Sequence, residues 1–431
     1  MESMVLKMRK MKDSGIEWIG EIPEGWEVSK LKYLGRYVNG YPFKPDDWGD
    51  KGKPIIRIQD LTGSNDSPNY YDGDIDAKYH IKNGDILVSW AATLDAFIWN
   101  KGDGLLNQHI FKAIPQEEKI TSYFFFWMIK EAMQNMNNDN KHGIFMQHVT
   151  LDVFNNFSVP LPPLSEQKRI ATYLFQKISE ADIMLDDTLS SITGYKKLKQ
   201  AVIAQAVTKG LRGNRETKDS KIEWLGQIPK EWKCQKLKYT IFPQNRPVFS
   251  TDEIITCFRD GIVTLRKNRR EDGFTVSFTE HGYQGVEIGD LVIHGMDAFA
   301  GAIGCSDSRG KTTPVVHVCT TTGNNRFFMF FLRYMAYSNI FMDFSNGIRI
   351  RSSDFRNFTK LGIFDVLVPP IAEQNEIADY LDAKCTEIDK LIAKKEQLVK
   401  ELECYKKSLI YEVVTGKREI FTDITRKFPN I

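Results

Sequence analysis

Between residues 162 and 210 apolar side chains recur at Ile170, Leu174, Ile178, Ala181, Leu185, Leu189, Ile192, Tyr195, Leu198, Val202 and Ala206. Steps of three and four place them on one face of a helix. Pro162 and Pro163 set an extended approach, Ser165 stands where an N-cap hydroxyl is expected, and Gly210 is the expected stop. A helix over residues 165–207 would be about 65 Å long at ~1.5 Å per residue. That is too long for an ordinary helix inside a compact domain. A second such segment closes the chain. Its Pro370, Glu373, Gln374, Ile377, Ala378, Tyr380 and Leu381 match Pro163, Glu166, Gln167, Ile170, Ala171, Tyr173 and Leu174. Further on, Ile388, Leu391, Leu398, Leu402, Tyr405 and Leu409 fit a near-heptad seam interrupted by Lys395.

The likeness extends to the segments before the helices. Residues 12–33 and 218–239 are identical at 14 of 22 positions, at a constant offset of 206. This is an internal duplication. Trp18, Ile22, Pro23 and Trp26, with Trp224, Ile228, Pro229 and Trp232 in the copy, read as an apolar clasp that packs.

About 130 residues of mixed pattern follow each clasp. The turn and buried strand at residues 83–88 match those at 288–293. Residues 54–58, 263–265 and 314–319 read as strands. The aromatic runs at 123–129 and 327–332 read as buried helix faces. A loop with Gly143 or Gly347 follows, then a short helix near 150–156 or 353–357. The expected fold class is α+β, with two similar globular domains separated by two long helices and related by a pseudo-two-fold repeat. Its segments are 1–161, 162–210 (first long helix), 211–368 and 369–431 (second long helix and tail). Two long amphipathic helices with single apolar stripes bury them best against each other, as an antiparallel pair.

Composition narrows the function classes. The chain of 431 residues is 42% hydrophobic and 26% charged, with a formal net charge of +2; it is long enough for two cores. The six cysteines form no CxxC pair, which points to free thiols in a reducing compartment. No signal-peptide core follows the basic first 11 residues, and the run 123–129 is too short to span a bilayer. The expected location is the cytoplasm, with no membrane partner. Phosphate-binding and dinucleotide glycine loops, the GxSxG elbow, the HExxH zinc motif and the Asn/Asp-Pro-Pro-aromatic tetrapeptide of amino-methyltransferases are missing from the sequence. His317 and Cys319 near Cys305 fit no standard zinc spacing. No catalytic residue, metal ligand or cofactor is assigned.

Two diverged domains on a preserved frame suit two separated sites on a linear polymer. On DNA, half-sites about one turn (~34 Å) apart present the same face. The duplicated W-[IL]-G-x-I-P-x-x-W and P-P-[LI]-x-E-Q-x-x-I-A-x-Y-L segments resemble those of specificity subunits of Type I restriction-modification systems. The resemblance runs from Lys12 to about Glu419, and the segment from Gly104 to Ile110 resembles a strand of their target-recognition domains. It implies two target-recognition domains, each reading one half of a bipartite site on double-stranded DNA. It also implies helices that set the spacer and dock two modification (adenine methyltransferase) subunits, with restriction/translocase subunits joining. The chain alone would be non-catalytic. The competing readings are a self-contained nuclease or methyltransferase, a protein-binding coiled-coil scaffold, and a subunit of a combined enzyme that cuts on both sides of its site.

Neither mixed region is basic. Residues 34–164 hold 12 Lys+Arg against 16 Asp+Glu, and residues 240–370 hold 14 against 13. The field that neutralises phosphate is therefore expected to be local or shared with partners. The first region has two arginines and 17 Asn+Gln, the second 11 arginines and nine Asn+Gln. Arginine pairs with guanine and Asn/Gln with adenine, so the second half-site is expected to be richer in G·C and the first in A·T. The candidate DNA contacts are Arg349, Arg351, Arg266, Lys267, Arg269 and Arg270 in the second domain. In the first they are Lys141, Gln147, His148 and Arg57. Asn107 and Gln108 read as a turn that satisfies its own backbone.

Overall fold

The structure, a computed structural model, describes residues 9–64, 67–139, 149–269, 281–342 and 355–420. Contacts divide the chain into two compact units, Met1–Asp187 with Val399–Ile431, and Thr188–Leu398. Each unit takes in the beginning of one long helix and the end of the other. The helices themselves are uninterrupted, at Leu164–Lys209 and Ile371–Val414.

In the first unit a four-stranded antiparallel sheet has the order Gly35–Asn39, Ile110–Pro115, Ile86–Ser89, Asp95–Ile98. Its inner residues Val88, Phe111 and Ala113 are buried beneath the aromatic helix Ser122–Asp139, in which residues 124–129 are all buried. The second unit repeats the order with Ile241–Pro243, Val316–Thr321, Leu291–His294 and Ile303–Cys305, beneath the helix Asn325–Tyr337. A smaller sheet in the first unit runs Asn69–Tyr71, Lys53–Ile56, Gly104–Leu106, His80–Ile81, with its middle pair parallel. The second unit divides the corresponding strands between two ladders, Ile255–Cys257 with Val263–Leu265 and Gln284–Val286 with Gly310–Thr312.

The duplicated motifs have one job in both units. Trp26 and Trp232 are 1% and 0% exposed, and each indole N–H donates to the glutamate of the P-P-x-x-E-Q segment, Glu166 at 2.9 Å and Glu373 at 2.8 Å. Arg9 and Arg215 bind the same carboxylates and lie over the same indoles. The neighbouring glutamine ties down the aromatic helix. Gln167 accepts from Thr121 N–H at 2.8 Å and Gln374 from Asn324 N–H at 2.9 Å, while their amides donate to Pro162 and Pro369 carbonyls. The helix that ends in each unit closes on the same clasp. Gly210 and Gly416 both have φ of +75°, and a Cβ at either would strike the clasp tryptophan's surroundings.

The long helices run antiparallel inside each unit. Lys406 binds Asp182 in the first, and Lys199 binds Asp389 in the second, where Lys196 also faces Glu396 at 3.9 Å. The apolar stripe is only partly buried, contrary to expectation. Ile170, Leu174, Ile178, Ala181, Ile192 and Ala206 are buried, but Leu189 and Leu198 are 44% and 49% exposed, while Thr188 and Val207 are buried. Leu391, Leu398 and Tyr405 are also left exposed.

Three local expectations are corrected. The first long helix starts at Leu164, with Pro163 carbonyl accepting from Glu166 and Gln167 N–H, so Ser165 lies inside the first turn and does not cap it. The strand expected at 54–58 ends at Ile56, because Asp60 accepts from Arg57 N–H and starts the turn Ile58–Thr62. The short helix expected at 353–357 lies at Phe358–Gly362, where the Asn357 side chain caps Thr359 N–H. Its counterpart, Leu151–Asn156, is where expected and is capped by Thr150.

Candidate nucleic-acid interface

In the second unit a cleft of about 730 Å³ opens between the hairpin of residues 255–265 and the end of the main sheet. Arg259, Arg266, Arg269 and His294 line it, with Thr256, Asp260, Asp297 and Thr313. The cations are held in place by neighbours. Arg259 binds Asp297 at 2.8 Å, and Arg269 grips both oxygens of Asp260 while lying over the Phe258 ring at 4.5 Å. Arg266 Nε donates to Thr256 Oγ1 at 3.2 Å. These ion pairs are partly exposed, so each contributes little stability and can exchange a carboxylate for a phosphate.

Two histidines stiffen the same end of the sheet. His294 Nδ1 accepts from Asp297 N–H at 3.1 Å, and burial holds the imidazole below its usual range despite the nearby carboxylate of Asp297. His317 Nε2 donates to Phe355 carbonyl at 2.6 Å, and burial lowers its pKa as well. Phe355 N–H in turn donates to Gly295 carbonyl beside His294. Phe355 is thereby fixed beside His294, a residue of the cleft lining. Arg349 and Arg351, with Arg270, Lys141, Gln147 and His148, lie outside the described residues.

Of the described candidates, Arg266 and Arg269 share the cleft. Lys267 does not: it binds Glu253, which lies outside the lining. In the first unit Arg57 follows the strand Lys53–Ile56 and lies over the Trp48 ring at 5.6 Å. Its Nε is buried and makes no hydrogen bond. Asn107 forms the expected turn, accepting from Ile110 N–H and donating its own N–H to Ile56 carbonyl. Gln108 and His109 beside it are exposed, and His109 stacks at an angle on Trp90. Sequence reasoning missed Trp48, Trp90, Arg259 and His294. None belongs to a motif; ring contacts and the cleft lining bring them to notice.

Elsewhere the chemistry is quiet. All six cysteines are free. Among the described residues no group of His, Cys, Asp and Glu is arranged to hold a metal ion, and no helix is long and apolar enough to cross a membrane.

Comparison with known proteins agrees with this architecture. The family described as "Type I restriction modification DNA specificity domain" matches residues 23–192. The specificity subunit of the type I restriction enzyme EcoBI from Escherichia coli is 28% identical over 62% of this chain, and the match spans 57% of that relative's length. The putative type I restriction enzyme MjaX specificity subunit from Methanocaldococcus jannaschii is 27% identical over 94% of this chain and 96% of its own. In fold, the chain is similar to one from a solved structure described as showing complex assembly and conformational transition of the type I R-M system. That likeness has a TM-score of 0.66 at 14% identity and covers 92% of this chain and 99% of the other. Residues 23–192 thus match the type I restriction modification DNA specificity domain, and along most of its length the chain is similar to specificity subunits of type I restriction enzymes.

Proposed function

We propose that each of the two domains reads one half of a bipartite site on double-stranded DNA, with unread base pairs between the halves. The observation that carries this reading is the repetition of one sheet order and one Arg–Trp–Glu latch around two differently furnished recognition surfaces. A preserved frame with diverged surfaces suits two different half-sites on one duplex. In the second domain, Arg266 and Arg269 with the segment holding Arg349 and Arg351 form the reading surface, and Lys267 and Arg270 serve phosphate. In the first, Arg57 works with Lys141, Gln147 and His148. The second half-site is richer in G·C, from its arginine content, and the first in A·T.

The long helices set the spacer and dock two adenine methyltransferase subunits, and restriction/translocase subunits join that complex in the cytoplasm. Support comes from Ile183, Met184, Leu189 and Leu198, whose apolar side chains are 44–61% exposed on one helix. The test is to express the chain with its methyltransferase subunits and sequence methylated adenines genome-wide. A two-part site with a fixed, unread spacer is expected. Methylation by the purified chain alone, or at an unbroken site, would overturn the reading.

A further inference from the structure

The duplicated segment preserves more than its packing requires. Some exposed positions in it have changed freely: Glu21, Glu24 and Glu27 of the first copy correspond to Gln227, Lys230 and Lys233 of the second, and the last two changes reverse a charge. Other exposed positions are unchanged for a local reason. Asp13 and Asp219 each accept a backbone N–H two residues on, at 2.9 Å, and Gly20 and Gly226 have φ of +72° and +59°. Lys30, Lys32 and Tyr33 are also exposed and identical to Lys236, Lys238 and Tyr239.

Contacts within the chain do not account for that identity. Lys236 binds Asp365, but Ser158 stands across from Lys30 in the matching ladder. Lys32 donates to Asn156 Oδ1 at 2.9 Å. In the second unit Ile363 holds the place of Asn156, because the carbonyls of the next residues, Phe157 and Phe364, accept from Leu31 and Leu237 N–H. Each lysine is kept where its partner in the other copy has been replaced.

Both copies present these residues in one way. Leu31 and Leu237 are buried and pin the short turns Leu31–Tyr33 and Leu237–Tyr239. Tyr33 and Tyr239 are 54% and 60% exposed, and Lys32 and Lys238 lie over their rings at 5.2 and 5.0 Å. An exposed apolar residue also opens each long helix, Leu164 in the first unit and Ile371 in the second. In the first unit Lys119 connects the two features. It donates to Tyr33 carbonyl at 3.3 Å and lines, with Val28, Leu161 and Leu164, a groove of about 500 Å³.

The turn lies away from the cleft. In the second unit it leads into the strand Ile241–Pro243, whose Ile241 pairs with Thr321. The cleft is lined by Val316, at the other end of the strand that Thr321 closes. Five steps of extended chain separate these ends by about 17 Å. A surface kept identical while the recognition surfaces diverge meets something that is the same for both repeats. Lysines alone would serve a phosphate backbone; exposed tyrosine rings and apolar helix starts fit a protein.

We propose that Lys30, Lys32 and Tyr33 in one repeat, and Lys236, Lys238 and Tyr239 in the other, are equivalent docking sites for two copies of one partner subunit, which meets each with an acidic surface. This rests on the reading above in which two methyltransferase subunits dock on the chain. It places part of that docking on the entry turns of the domains, off the long helices. The site occurs twice because the partner does.

The test uses the full chain with its methyltransferase subunit, and native mass spectrometry counts the subunits bound per chain over a titration. Lys32→Glu combined with Tyr33→Ala is expected to leave one subunit bound as in the wild type and to weaken the other about 10-fold or more. Lys238→Glu with Tyr239→Ala is expected to do the same, and all four substitutions together to weaken both. The subunit retained by each single-site variant shows that its chain is folded. Glu24→Lys, which installs the charge carried by Lys230 in the other copy, is expected to change nothing. Wild-type affinity for both subunits in every variant would overturn the proposal, as would loss of both from a single-site variant. Retained subunits with weaker binding to DNA of every sequence would make the lysines phosphate contacts and overturn it too. A wild-type chain that binds no methyltransferase subunit would overturn the docking reading itself.

Discussion

Trp26 donates its indole N–H to Glu166 across 140 residues of sequence, at 2.9 Å. The bond joins the clasp that opens the first domain to the first turn of the helix that leaves it. Trp232 and Glu373 repeat it at 2.8 Å. Both indoles are buried, so each carboxylate faces a surface where an unpaired oxygen would be costly. Trp26→Phe and Trp232→Phe keep an aromatic ring but remove the N–H together with the five-membered ring of the indole, so a small cavity adds to the lost bond. Each is expected to lower the unfolding free energy by about 1–3 kcal/mol, and Trp26→Ala by about 3–5 kcal/mol. Chemical denaturation followed by circular dichroism measures this, and equal stability of the Trp26→Phe variant would deny the bond its role.

Glu131 gives the first domain an unusual dependence on pH. It is 4% exposed in the aromatic helix, and burial pushes its carboxyl up to about 7, against one hydrogen bond from Asn135 that lowers it. Its Oε2 has no partner. The folded state therefore holds a proton that the unfolded state releases near 4.5. The stability this confers is fully present below the unfolded value and is lost as pH rises through the folded one. Glu131→Gln is expected to raise the melting temperature at about pH 8 and to change it little at about pH 4. A uniform effect at both would contradict the buried-acid account. His294 and His317 in the second domain act in the opposite sense. Their lowered values mean that stability present above the ordinary histidine value falls as pH drops towards the folded one.

The two aromatic helices dock on their long helices by different chemistry at one equivalent position. In the first unit Tyr123 meets Phe175 edge-on at 5.2 Å, and Phe126 and Trp127 pack on the same ring. In the second, Arg326 stands at the place of Tyr123 and binds Asp379 and Asp382. Phe175→Ala is expected to cost about 2–4 kcal/mol, whereas Asp382→Ala costs about 1 kcal/mol or less because the pair is exposed. The second loss should shrink further in high salt. Denaturation of both variants at two ionic strengths checks this, and comparable costs would contradict it.

What could be read in the sequence follows from where the physics is local. The duplicated clasp and helix starts were legible because Trp26, Glu166, Gln167 and their copies have the same partners in both units, so the residue types could not diverge. The buried aromatic runs were legible because six consecutive large apolar residues, 124–129 and 327–332, are buried in each core. The stripe of Leu189 and Leu198 was misread because a period of 3.6 drifts around a long straight helix and leaves the partner's face. The basic run at 266–270 looked uniform, but its neighbours differ in space: Lys267 meets Glu253 and Arg269 meets Asp260, both set by strand pairing.

The central claim is that the long helices fix the spacer while the domains fix the bases. The most direct measurement is genome-wide sequencing of methylated adenine in cells carrying the wild-type chain or one with four residues inserted after Ser190. Four residues add about 6 Å of helix, and base pairs are stacked about 3.4 Å apart. The account predicts that both half-sites keep their bases and that the spacer grows by at least one base pair. A variant that methylates the original spacing, or that reads different bases in either half-site, would contradict it.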